Sequence, residues 1–182
     1  MVVDGQGKRI ENGQDTMVMQ SSYYCSGKQI EKLSETTWQD DRRIGIGTMY
    51  EMVTRLLDFS SEGTTMWLSS YSSQKNILWK NLLKKYKGHF YADDEIIKDI
   101  SGSRLKFLNK EIFLKQLSLS EDDLETDKIP YGFSADLAAQ LQFETEESII
   151  EMAQNLYEKT KSKNLCIVWW VWLNSVANGK VL

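Results

Sequence analysis

Few residues of this sequence are of the types that act in catalysis or bind metals, and none of them has the spacing of a known catalytic or metal-binding motif. His89 is the only histidine among the 182 residues, which excludes a zinc centre built from two or three histidines. A lone histidine can still act as a general base. His89 follows Gly88 at the end of a lysine-rich segment, however, and this position predicts an exposed residue at a helix end.

Two glycine-lysine segments match a phosphate-binding loop only in part. Such a loop needs G-x-x-x-x-G-K-[ST], so that successive backbone N–H groups and the lysine surround the phosphates. Lys8 is followed by Arg9 and Lys28 by Gln29, and the first glycine is missing in both cases. Tight turns explain these glycines better than phosphate binding does.

The cysteines and the acidic residues also lack the spacing of a site. Cys25 and Cys166 have no C-x-x-C partner, and Cys166 lies in the apolar run Leu165–Leu173, which predicts a small buried side chain. The segment Glu121–Asp127 holds five carboxylates, but it has neither the glycine nor the glutamate that an EF-hand loop requires. The sequence therefore predicts no catalytic residue, no metal site and no cofactor.

The most distinctive feature is a lysine-rich segment between positions 74 and 91, with five lysines and no acidic residue. The spacing of its apolar residues predicts a helix over Gln74–Lys87, on which Lys80, Lys84 and Lys87 form one stripe. Like charges at that spacing repel each other, so either carboxylates of the chain or an external anion should cover the stripe. The predicted partner- or anion-binding residues are Lys75, Lys80, Lys84, Lys85, Lys87 and Trp79.

Two interpretations of this stripe stay open. In the first, the helix is an ordinary amphipathic helix whose lysines are solvated or paired within the molecule. In the second, the stripe binds an acidic protein, a nucleic-acid backbone or an anionic lipid. Lysine offers a point charge without a bidentate fork, which argues against sequence-specific reading of bases.

Composition and hydrophobic patterning predict one globular α+β domain over residues 1–182, either complete or part of a longer chain. Hydrophobic residues make up 41% and charged residues 26%, as in ordinary folded proteins. We expect a mixed or antiparallel sheet of about five or six strands, with three amphipathic helices packed on it. The main helices are expected at about 49–59, 74–87 and 145–160, the last one capped by Thr145 and preceded by a short helix from Ser134.

Shorter signals predict the remaining elements. Asn12-Gly13 and Asn178-Gly179 are typical of hairpin turns, because both residue types accept positive φ. Thr16–Cys25 has the composition of a strand. Residues 26–46 are expected to be loop with a short helix at Gln29–Leu33, and Thr65–Ser70 is expected to be a short strand. The apolar run Leu165–Leu173 predicts a buried central strand.

The charge of the chain and the length of its apolar runs restrict only the broad class of function. The net charge of −4 argues against a generic nucleic-acid or membrane binder, although residues 1–91 carry +2 and residues 92–182 carry −6. The longest apolar run has nine residues, too few to span a bilayer, and the amino terminus does not resemble a signal peptide. We therefore expect a cytoplasmic or nuclear protein without a membrane span.

The function that the sequence favours is a non-enzymatic protein-protein interaction module or a small accessory or inhibitory factor. Its expected partner is an acidic protein, and the oligomeric state is not indicated. One alternative is a protein that binds the RNA or DNA backbone through the lysine-rich helix. The other is a hydrolase or transferase, whose site would bring together residues that are distant in sequence.

Overall fold

The computed structural model of the protein describes residues 1–11, 13–37, 44–72, 81–86, 88–92, 115, 120, 122, 132–168 and 174–180. Its elements follow in the order β1 (Val2–Glu11), β2 (Gln14–Ser26), β3 (Gln29–Thr37), α1 (Ile46–Leu56), α2 (Glu62–Leu68), a 3₁₀ turn (Ser69–Tyr71), β4 (Leu83–Tyr86), β5 (His89–Ala92), α3 (Gly132–Thr160) and α4 (Ser175–Gly179). The fold is α+β, as predicted. A single sheet of five or six strands is not confirmed, since the five described strands form a three-stranded and a two-stranded sheet.

The chain divides into two compact units. One contains Met1–Met49, Lys85–Tyr91 and Thr145–Leu182, and the other contains Tyr50–Lys84 and Ala92–Glu144. We call them the first and the second unit. The buried apolar residues of the first unit include Met19, Ile44, Ile46, Met49, Tyr91, Ile149, Met152 and Ile167. Those of the second include Met52, Val53, Leu56, Leu68, Leu82, Leu137 and Leu141.

The sheet of the first unit is an antiparallel meander of β1, β2 and β3. The hairpin predicted near Asn12-Gly13 is confirmed, with Gly13 at φ 78°. The strand predicted at Thr16–Cys25 is confirmed as part of β2. The helix predicted at Gln29–Leu33 is wrong, because Gly27 takes a φ of 58° and turns the chain back, so that these residues pair with β2.

Helix α1 begins and ends slightly earlier than predicted. It spans Ile46–Leu56, and Met49, Met52, Val53 and Leu56 are all buried. The helix ends in a backbone motif in which Asp58 takes a φ of 58°. Asp58 N–H donates to the carbonyl of Arg55, and Phe59 N–H donates to the carbonyl of Thr54. These two bonds satisfy carbonyls that the end of a helix leaves without partners.

The strand predicted at Thr65–Ser70 is wrong, because these residues continue helix α2 into the 3₁₀ turn. The Ser61 side chain caps α2 by accepting a hydrogen bond from Gly63 N–H. Thr65 and Leu68 are buried at helical spacing, and the Thr65 hydroxyl donates to Thr54 Oγ1 of α1 at 2.8 Å. This buried hydrogen bond favours a helix over a strand for these residues.

The helix predicted over Gln74–Lys87 is contradicted in the part that the structure describes. Leu83–Tyr86 form strand β4, which pairs with β5 across a turn in which Gly88 has a φ of 80°. The Glu144 carboxylate accepts hydrogen bonds from Leu82 N–H at 3.1 Å and from Leu83 N–H at 2.8 Å. A helix would direct these N–H groups to its own carbonyls, so this tertiary contact opposes the local helical pattern.

Helix α3 is one helix of 29 residues, where two helices were expected. Thr145, predicted as an N-cap, lies inside it with its side chain fully buried. The middle of α3 is unusually polar for a buried segment: its buried residues include Gln140, Gln142, Glu144, Glu146 and Ser148. Tyr50 of α1 donates to Gln142 Oε1 at 2.9 Å, and Gln140 Nε2 donates to Glu144 Oε1 at 2.8 Å. Specific partners therefore hold this part of the helix in place.

The predicted central strand Leu165–Leu173 lies only partly within the described residues, which end at Val168 in this run. Among its described residues, Val168 N–H donates to the Met1 carbonyl at 3.1 Å, and the Met1 amino group donates to the Cys166 carbonyl at 2.8 Å. Cys166 is exposed rather than buried, and both cysteines are free. Residues 169–173 lie outside the described part of the chain.

A short helix occupies the position of the last predicted hairpin. Asn178-Gly179 belong to α4, whose N-cap Asn174 accepts a hydrogen bond from Ala177 N–H at 3.0 Å. The Lys180 ammonium pairs with the buried carboxylate of Glu146 on α3. Across the described residues, no helix has both the length and the apolar character needed to cross a membrane.

Candidate functional site

A groove of about 480 Å³ lies along the second half of α3, within the first unit. A helix with about 3.6 residues per turn brings positions i, i+3, i+4, i+7 and i+8 onto one face. Six residues of α3 follow that spacing, and Phe90 of β5 completes the lining. The lining consists of Phe90, Glu147, Ile150, Glu151, Gln154, Asn155 and Glu158. We call this feature the acidic groove.

The chemistry of the acidic groove is set by carboxylates, amides and two apolar side chains. Its lining holds three glutamates, one glutamine and one asparagine, together with Phe90 and Ile150. Lys85 of β4 forms an ion pair with one of the glutamates, Glu151. The lining therefore offers hydrogen-bond acceptors in excess, and its charge disfavours phosphate and other anions. It suits a ligand with hydroxyl or amino groups and an apolar face.

Strand β5 is tied to β2 through Gln20, a buried side chain. Gln20 Nε2 donates to the Phe90 carbonyl at 2.6 Å, and Gln20 Oε1 lies 3.3 Å from His89 Nδ1. Since Oε1 can only accept, this contact assigns the hydrogen to Nδ1 of the ring. Gln20 thereby fixes both the ring of His89 and the backbone of Phe90, the residue that lines the groove.

His89 is a half-buried strand residue and not the exposed helix-end residue that the sequence predicts. Burial is the main cause that lowers the pKa of His89, and the positive charge of Lys159 lowers it further. Successive side chains of a strand point to opposite faces, so the rings of His89 and Phe90 project from opposite faces of β5. The geometry thus favours a positioning role for His89 over that of a base within the groove.

The predicted lysine site is only partly within the described structure. Lys84 and Lys85 lie on β4, and both are exposed. Lys85 is paired with Glu151, a carboxylate of the acidic half of the chain, which matches the first of the two interpretations for this residue. Lys75, Lys80, Lys87 and Trp79 lie outside the described residues, and the binding of a partner by this set stays a prediction.

Sequence reasoning missed the residues that shape the groove. Glu147, Glu151 and Glu158 stand on the outer face of a helix, a pattern that any solvated helix shows. Gln20 has no local signal, because its partners lie 69 and 70 positions away. Within the described ranges, no group of three His, Cys, Asp or Glu residues is arranged to hold a metal ion.

Comparison with known families identifies the class of protein. Residues 11–182 match the model of a transferase family, described as carbamoyltransferase N-terminus. The chain therefore belongs to the carbamoyltransferase N-terminus family. No curated protein matches the chain.

This membership corrects the function favoured from the sequence. The interaction module and the accessory or inhibitory factor are both wrong, since the family match over residues 11–182 indicates a transferase. Of the alternatives, the match supports the hydrolase or transferase whose site brings distant residues together. The lysine-rich segment suggested a binding surface because its charges are close in sequence, whereas residues that come together from distant parts of a chain leave no short motif.

Proposed function

We propose that the chain forms the N-terminal part of an enzyme that transfers a carbamoyl group from an activated donor to a nucleophilic acceptor. The observation that carries this proposal is the family match over residues 11–182. In such a transfer, an oxygen, nitrogen or sulfur atom of the acceptor attacks the carbamoyl carbon, and the leaving group of the donor departs. The acceptor loses a proton in the process.

We assign the acceptor to the acidic groove. Activated carbamoyl donors such as carbamoyl phosphate are anions, and the glutamates of the groove would repel them. An acceptor with hydroxyl or amino groups can donate hydrogen bonds to Glu147, Glu158 and the amide of Gln154. Its apolar face can pack on Phe90 and Ile150. The volume of about 480 Å³ is within the range of small-molecule sites.

Gln20 and His89 support this site as positioning residues. Gln20 is 2% exposed, and its amide holds the Phe90 carbonyl at 2.6 Å. Loss of this amide would free β5 from β2 and let the Phe90 ring leave the groove. Small displacements of a substrate-positioning group can reduce rates strongly. Gln20→Ala is therefore expected to raise the KM for the acceptor more than the KM for the donor.

The test is a transfer assay on the full-length enzyme that contains this chain, with carbamoyl phosphate labelled in the carbamoyl carbon and a panel of hydroxyl and amine acceptors. Glu147→Lys combined with Glu158→Lys should raise the acceptor KM at least tenfold, the equivalent of about 1.4 kcal/mol of binding. Glu31→Lys is the matched control, because Glu31 is an exposed residue of β3 outside the groove, and it should leave the KM unchanged. Absence of label in every acceptor would overturn the transferase proposal. Transfer with an unchanged KM in the double variant would remove only the groove assignment.

A further inference from the structure

The hairpin of β2 and β3 extends beyond the rest of its sheet. Pairing between β1 and β2 begins at Val2 and Ser21, so further along β2 the only described partner is β3. Every residue from Tyr23 to Lys32 is exposed. We call Tyr23–Lys32 the arm. Because side chains alternate along a strand, the arm is open to solvent on both of its faces.

The outer edge of β2 in the arm lacks the usual protection against pairing. Proteins blunt an exposed strand edge with charged side chains, proline or a bulge. The edge segment Tyr23–Ser26 reads Tyr-Tyr-Cys-Ser and contains no charge and no proline. A register irregularity lies just before this segment, between Ser22 and Tyr23, and the pairing with β3 is regular from Tyr23 to the turn.

The opposite edge of the arm differs in character. Strand β3 carries Glu31 and Lys32, and Lys32 pairs with Glu35 of the same strand. These charges oppose the approach of another strand to β3. The exposed apolar groups of the arm include Tyr23, Tyr24 and Ile30, with 37%, 36% and 73% of their surface accessible. One edge of the arm is therefore suited to pairing and the other is not.

We propose that the Tyr23–Ser26 edge pairs with the same edge of a second copy of this chain. Antiparallel pairing of two identical segments is compatible with a two-fold axis, as in most homodimers. The segment is uncharged, so the two copies meet without like-charge repulsion. With the two-fold axis at Tyr24, the Tyr24 side chains of the two copies would form a cross-strand aromatic pair, which stabilises antiparallel sheets.

Pairing with a second copy would also stabilise the arm. A two-stranded hairpin has little stability on its own, whereas three or more strands with packed side chains are stable. Pairing of two arms would give a continuous sheet of four strands in the order β3, β2, and then β2 and β3 of the second copy. The interface is smaller than a standard one, so we expect a weak, concentration-dependent dimer in the micromolar range.

The first test is the mass of the 182-residue chain by sedimentation equilibrium over a range of concentrations. The wild-type chain should dimerise, and Tyr24→Lys, which places like charges across the two-fold axis, should weaken the dimer at least tenfold. Tyr23→Lys is a second variant with the same expected effect. Ile10→Lys is the matched control, since Ile10 is a 71% exposed residue of β1 outside the arm. Far-UV circular dichroism checks that each variant folds.

Cross-linking gives an independent readout that leaves the arm unchanged. Cys25 lies within the edge and is exposed, so in the proposed dimer it lies close to Cys25 of the second copy. Cys166→Ser retains Cys25 as the remaining cysteine, and a short bismaleimide should convert this variant into a covalent dimer. Cys25→Ser should not cross-link. A monomer at all concentrations, a dimer unaffected by both tyrosine variants, or cross-links through Cys166 alone would each overturn the proposal.

Discussion

Nδ1 of His89 on β5 lies 3.3 Å from Oε1 of Gln20 on β2, and this contact joins the two strands within the first unit. The same amide donates to the Phe90 carbonyl at 2.6 Å. Burial, and then the charge of Lys159, lower the pKa of His89 below its ordinary value of 6.5. The histidine is therefore neutral near pH 7, and its protonation destabilises the folded chain relative to the unfolded chain.

The first prediction concerns the pH dependence of stability. The unfolded chain binds a proton at His89 more readily than the folded chain does, so stability should rise with pH wherever the two forms differ in protonation. The contribution of His89 is fully present above about pH 6.5 and is lost as the pH falls through its lowered pKa. His89→Gln should remove this component, because glutamine does not titrate.

The measurement is the melting temperature of both proteins between about pH 8 and pH 5. Carboxylates titrate in both proteins, so only the difference between the two curves reports on His89. The wild-type curve should fall more steeply below about pH 6.5 than the curve of His89→Gln. Parallel curves would show that the environment of His89 does not penalise its protonated form.

A second prediction concerns the carboxylate that holds the start of β4. Glu144→Ala leaves the buried N–H groups of Leu82 and Leu83 without their acceptors. Each unsatisfied buried group costs about 1–3 kcal/mol, so we expect the free energy of unfolding to fall by about 2–6 kcal/mol. Glu144→Gln keeps one acceptor oxygen and should lose less.

Guanidinium unfolding measures the effect of Glu144. Glu147→Ala is the matched control, because Glu147 is an exposed glutamate of the same helix and should change stability by less than about 0.5 kcal/mol. If Glu144→Ala and Glu147→Ala are equally stable, the hydrogen bonds to β4 do not determine the fold of this segment.

Elements defined by neighbouring residues could be predicted from the sequence. The β1–β2 hairpin follows from an Asn-Gly turn, and α1 follows from apolar residues at helical spacing. The segment around Leu83 could not be predicted, because its outcome depends on Glu144, which lies 61 positions away. Local propensity is a weak constraint, and a buried carboxylate with two backbone donors overrides it.

The candidate site was less predictable than the fold. The helix over 145–160 was expected, and with it an outer face that includes Glu147, Glu151 and Glu158. What turns this face into a groove is Phe90, and Phe90 is held by Gln20, a residue 70 positions away. Such a juxtaposition leaves no motif in the sequence. No short motif indicates the family, whose model matches residues 11–182 as a whole.

A third prediction concerns the end of α1. Asp58 has a φ of 58°, a conformation that glycine adopts freely and that costs other residues about 1–2 kcal/mol. Asp58→Gly and Asp58→Ala remove the same side-chain contacts, so they differ mainly in this backbone term. Asp58→Gly should be the more stable of the two by about 1–2 kcal/mol in chemical unfolding.

Arg55 provides the control for this comparison, because it is an exposed residue in the last turn of the same helix. In a helical conformation glycine is about 1 kcal/mol less favourable than alanine, so Arg55→Gly should be less stable than Arg55→Ala. The Gly variant should thus be less stable than the Ala variant at position 55 and more stable than it at position 58. The same order at both positions would refute the backbone explanation for Asp58.

The last prediction concerns the ion pair between Lys85 and Glu151 at the edge of the acidic groove. Both side chains are partly exposed, at 49% and 38%, and water screens the attraction between such groups. A double-mutant cycle with Lys85→Ala and Glu151→Ala should therefore give a coupling energy below about 1 kcal/mol. The coupling should largely vanish in about 1 M salt, where the screening length is about 3 Å. A coupling of several kcal/mol that survives salt would mean that this pair is sheltered from water, and the groove would then be narrower in solution than its lining indicates.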